Sequence, residues 1–169
     1  MSLAAITILA AAAASAGNFT ETFDQTYTVD HGAQVGLENI NGDVTIEVWD
    51  RAEVRVYAVK SASSPERLEA LRIDVDVSSR GVFVDTHYPS SRDLSFDDRH
   101  GHSSVEYTLT VPRFAVIDGV ELVNGDLLIE AGAEVAIEGD GLSHLGDLHL
   151  AYVAGSEGHV TVGGDNSLL

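Results

Sequence analysis

Hydrophobic and polar positions alternate with a period of two through most of the chain after Gly17. In "EVRVYAVK" (53–60), the valine and alanine at even positions face one way, and arginine and tyrosine face the other. The segments "DVTIEVW" (43–49) and "SSVEYTLTVP" (103–112) alternate similarly. Pro112 ends the last of them, because proline cannot donate a hydrogen bond to a central strand. The pattern therefore predicts an all-β chain.

A β-hairpin is predicted in the middle of the chain. The segments "RIDVDV" (72–77) and "GVFVDTHY" (81–88) flank a short polar stretch in which Gly81 supplies a positive φ. The periodicity then stops across the polar segment 89–104, which predicts a mobile loop between two strands.

One short helix is predicted between the strands. Ser64 precedes Pro65 as an N-cap precedes the first helical residue, and Leu68 and Leu71 fall on one face. We expect this helix, at about residues 65–71, to cover an open end or edge of the sheet.

An eleven-residue segment occurs twice. "LENINGDVTIE" (37–47) and "VELVNGDLLIE" (120–130) align without gaps, and they share the Asn-Gly-Asp triplet and both glutamates. Shorter copies of this segment follow in tandem, and Gly125 and Gly146 occupy equivalent positions 21 residues apart. A period in the twenties, with two short strands per turn and Gly-Asp at the corners, is typical of a β-solenoid.

The repeated triplet is interpreted as a corner of the coil. Asn and Gly tolerate positive φ, and Asp can hydrogen-bond its own backbone two residues on. The residues assigned to such structural turns are Asn41, Gly42, Asp43, Asn124, Gly125, Asp126, Gly146 and Asp147.

The chain is strongly acidic, with a formal net charge of −18 from 27 acidic and 9 basic residues. Such a surface has no basic stripe for phosphates, which disfavours nucleic acid and anionic lipid as partners. The absence of cysteine excludes disulfides, thiol catalysis and Cys-ligated zinc.

The first sixteen residues are predicted to be a secretory signal peptide. They are apolar, too short for a spanning helix, and end in Ala14-Ser15-Ala16, which fits the small-residue cleavage rule. Residues 17–169 would then form a single β-solenoid domain with tandem coils over 120–169. Cleavage predicts an extracytoplasmic protein, in the periplasm or on the cell surface, with no stable membrane span.

The order of these features resembles a bacterial exported family known as "putative adhesin", whose biochemical function is undefined. The resemblance rests on "LENINGDVTIEVWD", "EVRVYAVKSA", "VEYTLTVP" and "VELVNGDLLIE" in that order. It implies an extracytoplasmic β-solenoid or truncated β-helix and brings no catalytic residues. The fold class predicted is thus all-β, a right-handed β-solenoid with a β-hairpin insertion and one short helix.

Two groups of residues could bind metal. His100 and His102, with Asp97 or Asp98, have ligand chemistry for a divalent ion. The turn carboxylates could instead take calcium, at Asp43, Asp126, Asp147 and Asp165. We favour a solvated loop for 97–102 and turn chemistry for the aspartates, so no metal or cofactor is predicted.

A carbohydrate site is the other candidate. Glu38 matches Glu121 and Glu47 matches Glu130, and paired carboxylates cleave glycosidic bonds when suitably spaced. Exposed aromatic side chains at Trp49 and Tyr57 could form a platform for sugar. We favour solvated strand faces for the glutamates and packing for the aromatic residues.

The function predicted is that of a non-enzymatic, exported, adhesin-like protein for surface interaction or envelope scaffolding. The alternatives are a carbohydrate-active β-helix enzyme and a divalent-cation-binding module. The expected partner is an unidentified protein or glycan at the cell surface, with edge strands offering a route to self-association.

Overall fold

The computed structural model describes residues 13–15, 18–78, 81–90, 101–113, 115–124, 127–129, 134–138, 148–150 and 159–163. These residues form thirteen strands and one helix. In chain order they are β1 (Ala13–Ser15), β2 (Asn18–Thr28), β3 (Gln34–Asn41), β4 (Val44–Trp49), β5 (Glu53–Ala62), α1 (Pro65–Ala70), β6 (Arg72–Ser78), β7 (Gly81–His87), β8 (Ser103–Pro112), β9 (Val116–Asn124), β10 (Leu127–Ile129), β11 (Glu134–Glu138), β12 (Leu148–Leu150) and β13 (His159–Gly163).

The strands make one large and two smaller sheets. The large sheet has the order β1-β2-β5-β8-β4-β10-β12, and the second has the order β6-β7-β3-β9. Strands β11 and β13 pair with each other, and β11 lies beside β9. Both larger sheets are mixed. In the large sheet, β1, β2, β5 and β8 pair antiparallel, whereas β8, β4, β10 and β12 pair parallel. In the second sheet, β6 and β7 pair antiparallel, whereas β7, β3 and β9 pair parallel.

The core lies between the two larger sheets. Alternate residues of β5 and β8 are fully buried on the inner face, as the period of two predicts. Val35, Leu37 and Val84 belong to the sheet β6-β7-β3-β9. They pack into the same cluster as the inner residues of the large sheet. Tyr107 is the largest side chain at its centre and is 2 % exposed.

The predicted helix forms at its expected place. The Oγ of Ser64 accepts a hydrogen bond from the backbone N–H of Arg67, and Pro65 occupies the first turn. Leu71 follows the helix and is completely buried, and α1 packs against β5 and β2. The helix therefore covers the end of the large sheet near these two strands.

The repeat copies stack in parallel and in register. Leu37 pairs with Val120 and Asn41 with Asn124 between β3 and β9. Leu127 pairs with Val44 on one side and with Leu148 on the other, so the spacing of 21 residues in sequence is one step of the stack. Strand β11 pairs parallel with β13, with Glu134 opposite His159.

The structure is therefore mostly β with one short helix, and its two larger sheets are mixed and open within the described strands. The hairpin is present as the antiparallel pair β6–β7. Strands β2, β5 and β8 pair antiparallel, which differs from the uniform coil that we expected. The alternating pattern did not predict this pairing, because alternation does not specify which distant strands pair. A right-handed solenoid is not shown by this arrangement.

Most of the predicted leader and most of the polar loop lie outside the described residues, apart from Ala13–Ser15 and residues 89–90 and 101–104. No helix in the described part of the chain has the length and apolar character needed to cross a membrane.

Candidate functional site

The first Asn-Gly-Asp corner carries the chain from one sheet to the other. Gly42 has φ of +122°, and a Cβ built on it would lie 2.2 Å from the carbonyl oxygen of Val105. The carbonyl oxygen of Asp43 accepts a hydrogen bond of 2.9 Å from the backbone N–H of Tyr107. Glycine is therefore required both for the backbone angle and for the close approach of β8.

A buried asparagine supports this corner from inside. Asn39 is 2 % exposed and occupies an inward position of β3. Its Nδ2 donates to the carbonyl oxygens of Val105 at 2.9 Å and Gly42 at 3.2 Å. Its Oδ1 accepts a hydrogen bond of 2.8 Å from the hydroxyl of Tyr88. Because every polar atom of this amide has a partner, its burial is compatible with a stable core.

Asn41 acts through its side chain. It is the last residue of β3, where its Nδ2 donates to the carbonyl oxygen of Ser103 at 2.7 Å. Its backbone N–H donates to the hydroxyl of Tyr88 at 3.1 Å. The Asn41 amide thus ties β3 to β8, a role beyond the backbone angle for which we expected asparagine here.

Two tyrosines complete this polar junction. Burial raises the pKa of Tyr88 to about 12. Burial also raises the pKa of Tyr107, whose hydroxyl lies 2.7 Å from Thr86 Oγ1. Both phenols stay neutral at physiological pH, so they serve here as hydrogen-bonding groups of the core.

The later corners lie mostly outside the described residues. This holds for Gly125, Asp126, Gly146 and Asp147. Asn124 pairs with Asn41 in register. The turn role of the later copies therefore stays a prediction.

The matched glutamates belong to a row of carboxylates across the second sheet. Asp74 pairs with Asp85, Asp85 with Glu38, and Glu38 with Glu121, so four acids stand side by side on β6, β7, β3 and β9. His87 Nε2 lies 2.9 Å from Asp74 Oδ2 and 3.3 Å from Asp85 Oδ2. Asp74 is 66 % exposed, Asp85 is 47 % exposed and Glu38 is exposed, so these three side chains lie on a solvated sheet face.

The second glutamate pair is only partly described. Glu47 lies on the outer face of β4, where Thr110 Oγ1 is 3.4 Å from its Oε2. Its sequence match, Glu130, lies outside the described residues.

The predicted metal loop is also described only at its end. Residues 97–100 are outside the described part, and so is Asp165. His102 hydrogen-bonds Asn18 Oδ1 through its Nε2 at 3.0 Å, and its backbone N–H donates to Ser63 Oγ at 3.2 Å. Among the residues the structure describes, no three His, Asp or Glu side chains are arranged to hold a metal ion.

Trp49 lies on the outer face of the large sheet, at the end of β4. Its Nε1–H donates to the carbonyl oxygen of Glu53 at 2.7 Å, and the guanidinium of Arg51 lies 4.9 Å from its ring centroid. Thr28, Arg51, Ala52 and Glu53 line an open concavity of about 440 Å³ beside it. Two of the residues that line this open concavity therefore hold the Trp49 ring in place.

Tyr57 occupies the middle of the same face. The guanidinium of Arg55 lies 5.5 Å from its ring centroid and makes two hydrogen bonds to Asp24, at 2.8 and 2.6 Å. This bidentate hydrogen bond to Arg55 lowers the pKa of Asp24. Arg55 is thus fully engaged by its neighbours.

Sequence reasoning missed three polar residues that the fold buries wholly or in part. Asn39 and Tyr88 lay beside the repeated triplet and the hairpin, with no pattern linking them. Arg67 is 8 % exposed although charged residues are usually solvated. A polar residue at an inward position of an alternating strand was the available signal for Asn39, since its counterpart in the second copy is Leu122.

The chain has remote likenesses among solved structures. A putative cell adhesion protein from Clostridium sporogenes shares 11 % identity over 76 % of this chain and 56 % of that one, with a TM-score of 0.40. A putative adhesin from Bacteroides fragilis shares 17 % identity over 76 % and 50 %, with a TM-score of 0.35. A putative lipid binding protein from Parabacteroides distasonis shares 11 % identity over 71 % and 47 %, with a TM-score of 0.32.

The chain spans about half the length of these proteins. At TM-scores of this size the shared shape is partial, and it assigns neither a family nor a function. No protein-family model matches the chain, and no curated protein matches it.

Proposed function

We propose that this chain is a non-enzymatic, exported, adhesin-like protein, in which stacked strands form extended faces for surface interaction or envelope scaffolding. The proposal includes continuation of the stack over 120–169 as a right-handed solenoid. It also places the mature chain in the periplasm or on the cell surface, where its partner is a protein or a glycan.

The observation that carries the proposal is the in-register stacking of the repeat. Glu38 lies beside Glu121 and Asn41 beside Asn124, so equivalent residues form rows along a sheet instead of converging on one point. Rows along a sheet supply many equal contacts, whereas an enzyme site needs groups that converge on a reacting atom.

The polar groups at the corner support the same conclusion. Asn39, Asn41 and Tyr88 are engaged with each other and with the backbones of Val105 and Ser103. They stabilise the junction between the sheets, and this accounts for the repeated triplet in the first copy without invoking a reaction.

Export is the part of the proposal that is tested first. The full-length chain with a C-terminal tag is expressed in a Gram-negative bacterium, and the cell fractions are analysed by intact-mass spectrometry. The mature protein is expected to begin at Gly17 and to appear outside the cytoplasm. A double variant, Ala14→Lys with Ala16→Lys, should block cleavage. Cytoplasmic, uncleaved wild-type protein would contradict the proposal.

The enzymatic alternative is tested separately. Purified protein is incubated with a panel of polysaccharides, and released reducing ends are measured. Turnover that disappears in Glu38→Gln or Glu121→Gln would establish a glycosidase and overturn the non-enzymatic proposal. We expect no turnover by either the wild type or the variants.

A further inference from the structure

The concavity beside Trp49 is lined mostly by polar residues, two of which, Arg51 and Glu53, contact the tryptophan. It lies where the end of β2 meets the turn between β4 and β5, and its lining includes Thr28, Arg51 and Glu53. Trp49 is attached to this lining at two points, through the stacked Arg51 and through its hydrogen bond to the Glu53 carbonyl. Its indole is consequently held in place without a ligand.

The charged groups of the concavity retain hydrogen-bonding capacity. Arg51 is 70 % exposed and Glu53 is 37 % exposed, and their closest N···O distance is 4.0 Å, the outer limit of an ion pair. By contrast, Arg55 and Asp24 on the same face are closed into a bidentate pair at 2.6 and 2.8 Å. The Arg51 guanidinium therefore keeps N–H donors for a ligand while it stacks on Trp49.

We propose that this concavity is a subsite for an uncharged saccharide, with Trp49, Arg51, Glu53 and Thr28 as its contact residues. Each sugar hydroxyl both donates and accepts hydrogen bonds. The guanidinium supplies donors, the carboxylate supplies acceptors, and the threonine hydroxyl supplies both. Arg51 stacks over the indole, so a sugar ring would pack its C–H face on the remaining apolar surface of Trp49. The inference rests on the proposed function and names the ligand class of one of its faces.

Charge selects an uncharged ligand. Arg51 and Glu53 together contribute no net charge at the concavity, so an uncharged sugar fits without an unpaired ion. The chain as a whole carries −18, which repels uronic or sulfated glycans at a distance.

The neighbouring sheet face can accommodate a longer glycan. Thr26 on β2 pairs with Arg55 on β5, the next pair on this face after Thr28 and Glu53. Thr45 and Thr108 form a further pair on β4 and β8. Threonine also favours strands, so these rows alone assign no ligand. Together with the concavity they match an extended chain of sugars.

The test uses the fluorescence of Trp49, the only tryptophan of the chain. The full chain is titrated with cellohexaose, mannohexaose and maltohexaose, and with hexagalacturonate as an anionic probe. We expect a saturable change in emission with at least one of the uncharged probes and none with the anionic one.

Two variants assign that change to the concavity. Arg51→Gln is expected to weaken binding at least about tenfold, as for the loss of one charged hydrogen bond. Arg113→Gln is the matched control, because Arg113 is also an exposed arginine near this turn and pairs with Asp50 at 2.6 Å. It should bind as the wild type does. Circular dichroism spectra and melting temperatures verify that both variants fold.

Three results would overturn the inference: no saturable change with any uncharged probe, a response confined to hexagalacturonate, or equal weakening in Arg51→Gln and Arg113→Gln. Each leaves the proposed function standing if the chain is exported and shows no turnover. Cytoplasmic location would instead remove the proposed function while the fluorescence result could still show a sugar site.

Discussion

The hydroxyl of Tyr88 donates a 2.8 Å hydrogen bond to Asn39 Oδ1, and this contact joins the end of the hairpin to the interior of the repeated segment. The same hydroxyl accepts from the backbone N–H of Asn41. The Tyr88 hydroxyl thus hydrogen-bonds both Asn39, an inward residue of β3, and Asn41, the last residue of that strand.

Leu122 occupies the position in the second copy of the repeat that Asn39 occupies in the first. The substitution Asn39→Leu therefore gives both copies the same residue there. It removes the hydrogen bonds that Asn39 makes with the Tyr88 hydroxyl and the Val105 carbonyl, so the free energy of unfolding should fall by about 1–3 kcal/mol. Urea denaturation measures the loss. Tyr88→Phe should also destabilise, and the double variant should lose clearly less than the sum of the two. Strict additivity would show that the pair does not interact as described.

Gly42→Ala should be strongly destabilising. The new methyl group would meet the Val105 carbonyl at 2.2 Å in a backbone with positive φ, so we expect a loss of about 3 kcal/mol or more. Gly32→Ala is the control, because Gly32 also has positive φ, at +79°, but its Cβ would meet nothing within 4 Å. It should cost only about 1–2 kcal/mol. Similar melting temperatures for the two variants would contradict the close approach of β8.

The two buried tyrosines predict a loss of stability at alkaline pH. Burial raises the pKa of Tyr88 to about 12 and raises that of Tyr107 as well. The unfolded chain therefore releases these protons at lower pH than the folded one, and stability falls as the pH rises from about 10 through the folded-state values. Urea denaturation at pH 8, 10 and 11.5 measures this. Tyr88→Phe should flatten the slope, and an unchanged slope in the variant would count against its burial.

The row of carboxylates predicts a stabilising substitution. Glu38 stands between Asp85 and Glu121, and like charges opposite each other destabilise a sheet. Glu38→Gln should raise the free energy of unfolding by about 0.2–1 kcal/mol at low salt, and the gain should shrink in 1 M NaCl. Glu66→Gln, at the exposed start of α1, removes a charge of the same sign from a helix N-terminus and should not stabilise. An equal gain in both variants would indicate a general charge effect.

Local structure was readable from the sequence where a single period or cap specified it. Alternation located β5 and β8, Ser64 and Pro65 located α1, and the spacing around Gly81 located the hairpin. The match between Leu37 and Val120 is also the pairing seen between β3 and β9. A repeated segment can stack on its copy with every side chain kept on the same face, so its register is legible in one sequence.

Contacts between distant segments were not readable. The sequences of β2, β5 and β8 do not indicate that these strands pair antiparallel, because parallel and antiparallel strands show the same alternation. Asn39 and Tyr88 meet across 49 positions of the chain, and their hydrogen bond depends on how the hairpin folds back over β3. The concavity beside Trp49 likewise arises from the meeting of β2 with a turn, which no motif records.

Disulfide trapping tests the stacking of the two long copies, and it needs no background substitution because the chain has no cysteine of its own. Glu38→Cys with Glu121→Cys places two thiols on paired positions of β3 and β9. Neighbouring strands bring such Cα atoms to about 4.8 Å, within the range a disulfide spans. Glu38→Cys with Leu122→Cys is the control, shifted by one residue to the opposite face. We expect rapid intramolecular oxidation of the first pair alone, and oxidation of the second pair in preference to the first would contradict the stacking of β3 on β9.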